Sequence, residues 1–138
     1  MMKKFWLLGW LLICATAAYA DDSAILAQVE RSARDWLAKV DGKSYQESWE
    51  HASSLMKSKI TQPEWVKSTT ALRSTLGEVT ARYIATAGTT TSLSGFPDGE
   101  YIVLQFYTTF MPQSLALETV SLSKASNGTW QVVDYAVK

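Results

Sequence analysis

The stretch DWLAKVDGKSYQESWEHAS, residues 35–53, decides how the first half of the chain is arranged. It carries Trp36 and Trp49 on either side of the turn-forming pair Asp41-Gly42. Upstream of the turn, apolar residues recur every three to four positions, which is typical of one face of a helix. They are Ile25, Val29, Ala33, Trp36, Leu37 and Val40. We interpret the stretch as the joint between two packed helices, and not as a catalytic motif.

Capping signals predict where the first two helices begin and end. Asp22 or Ser23 can cap the start of the first helix. Gly42 follows the end of this helix, at a position where the backbone is often left-handed and glycine adopts that conformation at the lowest steric cost. Ser44 and Glu47 have the spacing of a capping box that opens the second helix. The apolar face of this second helix is formed by Tyr45, Trp49, Ala52 and Met56.

A third helix is predicted to begin near Thr61, with Pro63 in its first turn, and to end at Gly77. Beyond Gly77 the apolar residues alternate, and we expect four strands separated by turn clusters. Asn127-Gly128 is a preferred two-residue hairpin turn. The predicted strands are 79–91, 100–110, 115–123 and 129–137.

This order of elements predicts an α+β domain, in which three N-terminal helices cover one face of a four-stranded antiparallel sheet. The second strand is apolar on both faces, with Tyr101, Val103, Gln105 and Tyr107 on the face away from the helices. We therefore expect the outer face to be covered, for example by a second subunit in a homodimer.

The first 20 residues have the pattern of a secretory signal peptide. Lys3 and Lys4 precede an apolar run, and Ala18-Tyr19-Ala20 is a small-x-small cleavage site. The uncharged run is shorter than the roughly 20 residues that a membrane-spanning helix needs. We expect cleavage between Ala20 and Asp21, a periplasmic or secreted protein with no stable membrane anchor, and one domain over residues 21–138.

Composition narrows the classes of partner and cofactor. Cys14 is the one cysteine of the chain, and it leaves with the signal peptide, so the exported domain depends on its core without disulfides. Without Lys3 and Lys4, eleven basic residues remain against 13 acidic ones, and they form no basic stripe. We expect no nucleic-acid partner. With one histidine and no remaining cysteine, we expect neither a metal site nor a cofactor.

A set of landmarks is spread over the chain in a specific order: Trp36, Asp41-Gly42, Tyr45, Ser48-Trp49, Trp65, Arg73, Leu76-Gly77, Arg82, Pro97-Asp98-Gly99, Tyr101, Phe106, Thr108, Phe110, Glu118-Thr119-Val120, Gly128, Trp130 and Tyr135. With these landmarks the chain resembles the bacterial family called domain of unknown function 4019. Asp134 departs from the small residue expected before Tyr135. The resemblance implies a secreted or periplasmic domain similar to the nuclear transport factor 2-like superfamily, with helices packed in the concave face of a cone-shaped sheet. It implies no activity.

Two charged positions are candidates for a site. Glu118 shares a strand face with Val120 and Leu122, where a carboxylate is costly unless it is paired. We predict a structural ion pair with Arg73, and Arg82 is the second candidate partner. His51 is expected on the polar face of its helix, in an exposed pair with Glu47.

No catalytic residue is identified from the sequence, so whether the protein is an enzyme stays open, with a non-enzymatic role favoured. That role would be the binding of a small apolar ligand or a protein partner. Alternatives are an isomerase- or hydrolase-like enzyme in the same pocket and a dimerisation module. The candidate ligand-binding residues at the cone mouth are Tyr45, Tyr83, Tyr101, Gln105 and Tyr107.

Overall fold

The computed structural model describes residues 16–112 and 114–138, with side chains from Asp22 onward. Most of the expected signal peptide lies outside the described residues. Four helices precede four strands along the described chain. The helices are α1 Thr16–Asp41, α2 Tyr45–Glu50, α3 Ser54–Lys59 and α4 Gln62–Leu76. None of them is long and apolar enough to cross a membrane.

The joint between α1 and α2 has the predicted place, but its chemistry differs from the prediction. Lys43, and not Gly42, takes the left-handed conformation, with φ 62°. The amide of Lys43 donates to the Val40 carbonyl, and that of Ser44 donates to the Lys39 carbonyl, which is the hydrogen-bond pattern of a Schellman motif. The Ser44 amide is therefore already used, and the Ser44 side chain makes no cap hydrogen bond. The predicted capping box is wrong for this reason.

The predicted second helix is in fact two short helices. Its apolar positions continue through the break, but Ser53 stands in an extended conformation and caps α3 by accepting from the Leu55 amide. The Ser53 amide donates to Val132 at 2.8 Å, so a strand takes the place of the helical acceptor. The predicted start of α1 at Asp22 or Ser23 is also wrong, because the helix already includes Thr16. For α4, the Thr61 cap and the early Pro63 are confirmed.

The strands form one antiparallel meander in the order β1-β2-β3-β4, as predicted. Their bounds are β1 Val79–Thr90, β2 Tyr101–Phe110, β3 Ser114–Lys124 and β4 Trp130–Val137. The register places Arg82 beside Thr108 and Phe106 beside Glu118, so these four side chains share the inner face, toward the helices. The α+β class and the open four-stranded sheet are confirmed.

Trp36 lies at the centre of the contact between the helices and the sheet. Its ring centroid is 5.7 Å from that of Trp65 and 5.4 Å from that of Tyr135. Its Nε1 donates to the Ser48 carbonyl at 2.8 Å, and the Ser48 hydroxyl accepts from Trp65 Nε1 at 2.9 Å. The interpretation of the opening stretch as a helix joint is confirmed, because the hydrogen bonds of Trp36 and Ser48 connect α1, α2 and α4.

Candidate functional site

A cluster of charged side chains lies where α1 ends against the inner face of the sheet. Arg82 of β1 is at its centre, with 9% of its side chain exposed. Its Nε donates to Glu118 at 2.7 Å, and its Nη1 and Nη2 donate to the two oxygens of Asp41 at 2.7 and 3.0 Å. All three guanidinium nitrogens therefore have carboxylate acceptors. Asp41 is bound in the bidentate geometry for which arginine is suited.

Glu118 is fully buried, yet both of its oxygens accept hydrogen bonds. Oε1 accepts from Arg82 and from the Thr108 hydroxyl, and Oε2 accepts from the Tyr135 hydroxyl. Burial raises the pKa of Tyr135, and the adjacent Glu118 raises it further, while the two arginines offset part of the effect. Burial lowers the pKa of Arg82, but its bonds to Asp41 and Glu118 outweigh burial and raise it overall. The protonated phenol and the charged guanidinium are thus the stable forms.

The predicted pair between Glu118 and Arg73 is wrong, and the second candidate, Arg82, is the partner. Arg73 lies on α4 and donates Nη2 to Asp41 at 2.9 Å, with its guanidinium carbon 5.1 Å from the centre of the Phe110 ring. Its Nε and Nη1 are buried without a hydrogen-bond partner. Arg82 reaches Glu118 because both lie beside β2 on the same sheet face. Arg82 is the register partner of Thr108, and Glu118 is the register partner of Phe106, two residues earlier on β2.

Asp41 was missed as a member of this cluster, because its position before a glycine was explained by the turn alone. One signal was present in the sequence. Arg82 alternates in phase with inward-facing residues of β1, and an arginine on an inner face needs acceptors. The acceptor lies 41 residues away in the chain, and spacing could not identify it.

In chemical terms the cluster is a neutral set of two carboxylates and two guanidiniums. Every oxygen of Asp41 and Glu118 accepts at least one hydrogen bond. The side chain of Asp41 is 27% exposed, and the other three charged side chains are nearly buried. With its acceptors already occupied, the cluster holds α1, α4, β1, β3 and β4 in place.

The five side chains predicted to bind a ligand do not line one pocket in the part of the chain that the structure describes. Tyr45 is buried among the helices, and Tyr101 is buried with its hydroxyl donating to the Pro97 carbonyl. Tyr83 and Tyr107 are register partners on the outer face, 69% and 55% exposed. Gln105 lies on the same face and accepts from the Thr86 hydroxyl at 2.7 Å. Ligand binding by these residues stays a prediction.

The outer face of the first three strands carries no charged residue, whereas β4 places the exposed Asp134, the register partner of Ser121, on the same side of the sheet. The register and the exposure of the side chains give its members as Ala81, Tyr83, Thr86, Gly88, Thr90, Val103, Gln105, Tyr107, Thr109, Leu115, Leu117 and Thr119. Tyr101, Ser121 and Ser123 follow the same alternation but are buried, and the Ser123 hydroxyl lies 3.4 Å from that of Ser53. Leu115 is 71% exposed and joins Tyr83 and Tyr107 in an apolar area. We call these twelve exposed or half-buried residues the outer face.

His51 is exposed at the break between α2 and α3. The ion pairs found among the described residues do not include His51 or Glu47, so the predicted pair is not formed. Across the same residues, no group of three or more His, Cys, Asp or Glu side chains could hold a metal ion.

Comparisons with known proteins support a family and a fold. The family model described as "Protein of unknown function (DUF4019)" matches residues 32–135. A 2.5 Å structure from Catenulispora acidiphila is similar with a TM-score of 0.55 and 11% identity, covering 86% of this chain and 94% of that chain. At this identity the likeness concerns the fold alone. The comparison with curated proteins found no match.

Proposed function

The chain belongs to the DUF4019 family of proteins of unknown function, and we propose that it is an exported, non-enzymatic binding domain that pairs with a second copy through its outer face. Export is supported by the signal-peptide pattern of residues 1–20. A cone-shaped arrangement similar to the nuclear transport factor 2-like superfamily is part of the same proposal. The observation that carries the proposal is the uncharged outer face with its exposed tyrosines and leucine.

The composition of the outer face suits a protein interface. Interface cores are depleted in charged residues and enriched in tyrosine, whereas a sheet face that meets water is usually dotted with lysine and glutamate. Here Tyr83, Tyr107 and Leu115 expose most of their surface, and the twelve outer-face positions of β1, β2 and β3 carry no charge. Removing the apolar area of such a face from water is favourable, so covering the face stabilises the complex that covers it.

The absence of charge also favours a second copy as the partner. In a two-fold interface residue i of one copy contacts residue j of the other and the reverse, so a charge on the face would need an opposite charge at the matching position of the same face. The twelve residues of the outer face need no such pairing when they pack on a second copy, and Asp134 of β4 lies at the edge of this area. A strongly charged partner would lose its hydration without gaining a counter-ion there.

The outer face has an area close to that of a standard protein interface. The three strands that carry the outer face have 10 to 12 residues. With strands about 4.8 Å apart and a rise of about 3.3 Å per residue, these three strands cover roughly 500 Å² in projection. Side chains that stand out of this plane add to the area, which brings it near the roughly 800 Å² that each partner contributes to a standard interface.

Native mass spectrometry of protein produced from the full chain in a bacterial host tests the proposal. We expect a dimer of chains that begin at Asp21. Tyr83→Lys/Tyr107→Lys should give a folded monomer, because four added charges would face one another in the dimer. Thr70→Lys/Ser74→Lys adds the same charges to the exposed side of α4 and should leave the dimer intact. A parent protein that stays monomeric at every concentration contradicts the proposal.

A further inference from the structure

An open groove of 210 Å³ lies between α1 and β4, and its lining includes neither a charged side chain of the cluster nor a residue of the outer face. Its helix side is formed by residues spaced three and four apart on α1, and its other side by the start of β4. Trp36 and Val132, both buried, form its floor. The side chains that can reach a ligand are Ser32, Asp35, Lys39, His51, Trp130 and Gln131.

These polar side chains are not engaged with the rest of the described protein. The ion pairs among the described residues involve neither Asp35 nor Lys39. Other helical serines, such as Ser58 and Ser74, donate their hydroxyls to a carbonyl three residues earlier. No such bond is found for Ser32 among the described residues, and its hydroxyl remains available on the groove wall.

Trp130 adds an aromatic surface to this polar rim. It is half-buried and packs against the core, so its ring is held in place while part of it faces the groove. Trp36, Trp49 and Trp65 each donate the indole N–H to a protein oxygen. Within the described residues no acceptor is found for the indole of Trp130, which leaves a donor beside an apolar ring face.

We infer that this groove binds a neutral monosaccharide. A pyranose ring has an apolar face whose C–H groups can lie against the negative face of an indole. Its hydroxyls each need both donors and acceptors, and the groove offers carboxylate, amide, ammonium, imidazole and hydroxyl groups around one ring. Asp35 and Lys39 have opposite charges, which disfavours a ligand with a strong charge of either sign.

The size of the groove limits the ligand to about one ring. Pockets for drug-sized molecules measure about 300–1,000 Å³, and this groove is smaller, at 210 Å³. The inference is independent of the proposed pairing of outer faces, because the groove and the outer face share no residue.

The test is an NMR titration of the full-chain product with D-glucose and with N-acetyl-D-glucosamine, followed by the Trp130 indole N–H signal. We expect a saturable shift with a dissociation constant of the order of 1 mM for at least one sugar, in line with the small contact area of one ring. Trp130→Ala should weaken binding about tenfold or more, as measured on the backbone signals of Gln131 and Lys39. Asp35 is exposed, so Asp35→Asn keeps the fold and should weaken binding severalfold.

Trp49→Phe is the matched control, because Trp49 is also half-buried but lies outside the groove. It should leave the sugar affinity unchanged, as should Tyr83→Lys/Tyr107→Lys. The inference is overturned if neither sugar gives a saturable shift. It is equally overturned if Asp35→Asn binds like the parent, or if only glycine or inorganic phosphate shifts these signals.

Discussion

Arg82 donates its Nε to Glu118 at 2.7 Å, and so a residue of an edge strand neutralises a carboxylate that has no exposed surface. The same guanidinium holds Asp41 at the end of α1. The contact therefore connects the helical layer to the sheet through one side chain. It also makes the stability of the domain depend on a buried ion pair whose two members were 36 residues apart in the sequence.

Breaking this pair on one side is expected to be costly. Arg82→Met leaves Glu118 buried without a counter-charge and should lower the free energy of unfolding by roughly 3–5 kcal/mol. In a double-mutant cycle by urea denaturation, Arg82→Met and Glu118→Gln should show a coupling of about 1.5 kcal/mol or more. Arg73→Met with Glu118→Gln is the matched cycle, with a coupling below about 0.5 kcal/mol, since Arg73 binds Asp41 instead. Equal coupling in both cycles would contradict the pairing.

Stability should fall in alkaline solution through Tyr135. Its pKa is raised in the folded state, mainly by burial and then by Glu118. Above the unfolded pKa of about 10, the folded chain holds a proton that the unfolded chain has lost, so stability decreases with pH by up to about 1.4 kcal/mol per pH unit. Below that pH the contribution is fully present. The free energy of unfolding, measured in urea between neutral and alkaline pH, should decline less steeply with pH for Tyr135→Phe than for the parent. Tyr83→Phe is the control and should behave like the parent.

Gly77 is expected to tolerate no side chain. It has φ 87°, and a Cβ there would lie 1.8 Å from the Met111 carbonyl oxygen. Gly77→Ala should cost more than about 3 kcal/mol, because backbone must move in addition to the strain of the left-handed conformation. Gly128→Ala separates the two effects, since Gly128 has φ 84° with nothing within 4 Å. It should cost only about 1–2 kcal/mol by thermal or urea denaturation.

Lys43 offers a change that should stabilise the protein. It is the left-handed residue of the motif that ends α1, a position where glycine avoids the steric cost of a side chain. Lys43→Gly should raise the free energy of unfolding by about 0.5–1 kcal/mol. Lys43→Ala removes the same charge but keeps the strain, and it should leave stability close to that of the parent. A gain of similar size in Lys43→Ala would assign the effect to charge.

Local patterns were sufficient for much of the fold. Alternation after Gly77 identified all four strands, because each has one face against the core. The break in the second helix was not predictable in this way, since the acceptor that replaces its helical hydrogen bond is Val132, on the last strand. The same limit applied to the charged cluster. Glu118 signalled the need for a cation, but only the register of β1 against β2 selects Arg82 over Arg73.

The contact between Trp36 and Tyr135 has a consequence for the order in which the chain can fold. The strands pair with their neighbours in sequence, and so the sheet can grow by successive hairpins with little loop-closure entropy. The helices are made first, yet their central tryptophan needs a residue close to the C-terminus. A chain that is still being synthesised therefore lacks part of the surface on which its helical layer packs, and the contact between Trp36 and Tyr135 can form only after Tyr135 has been added.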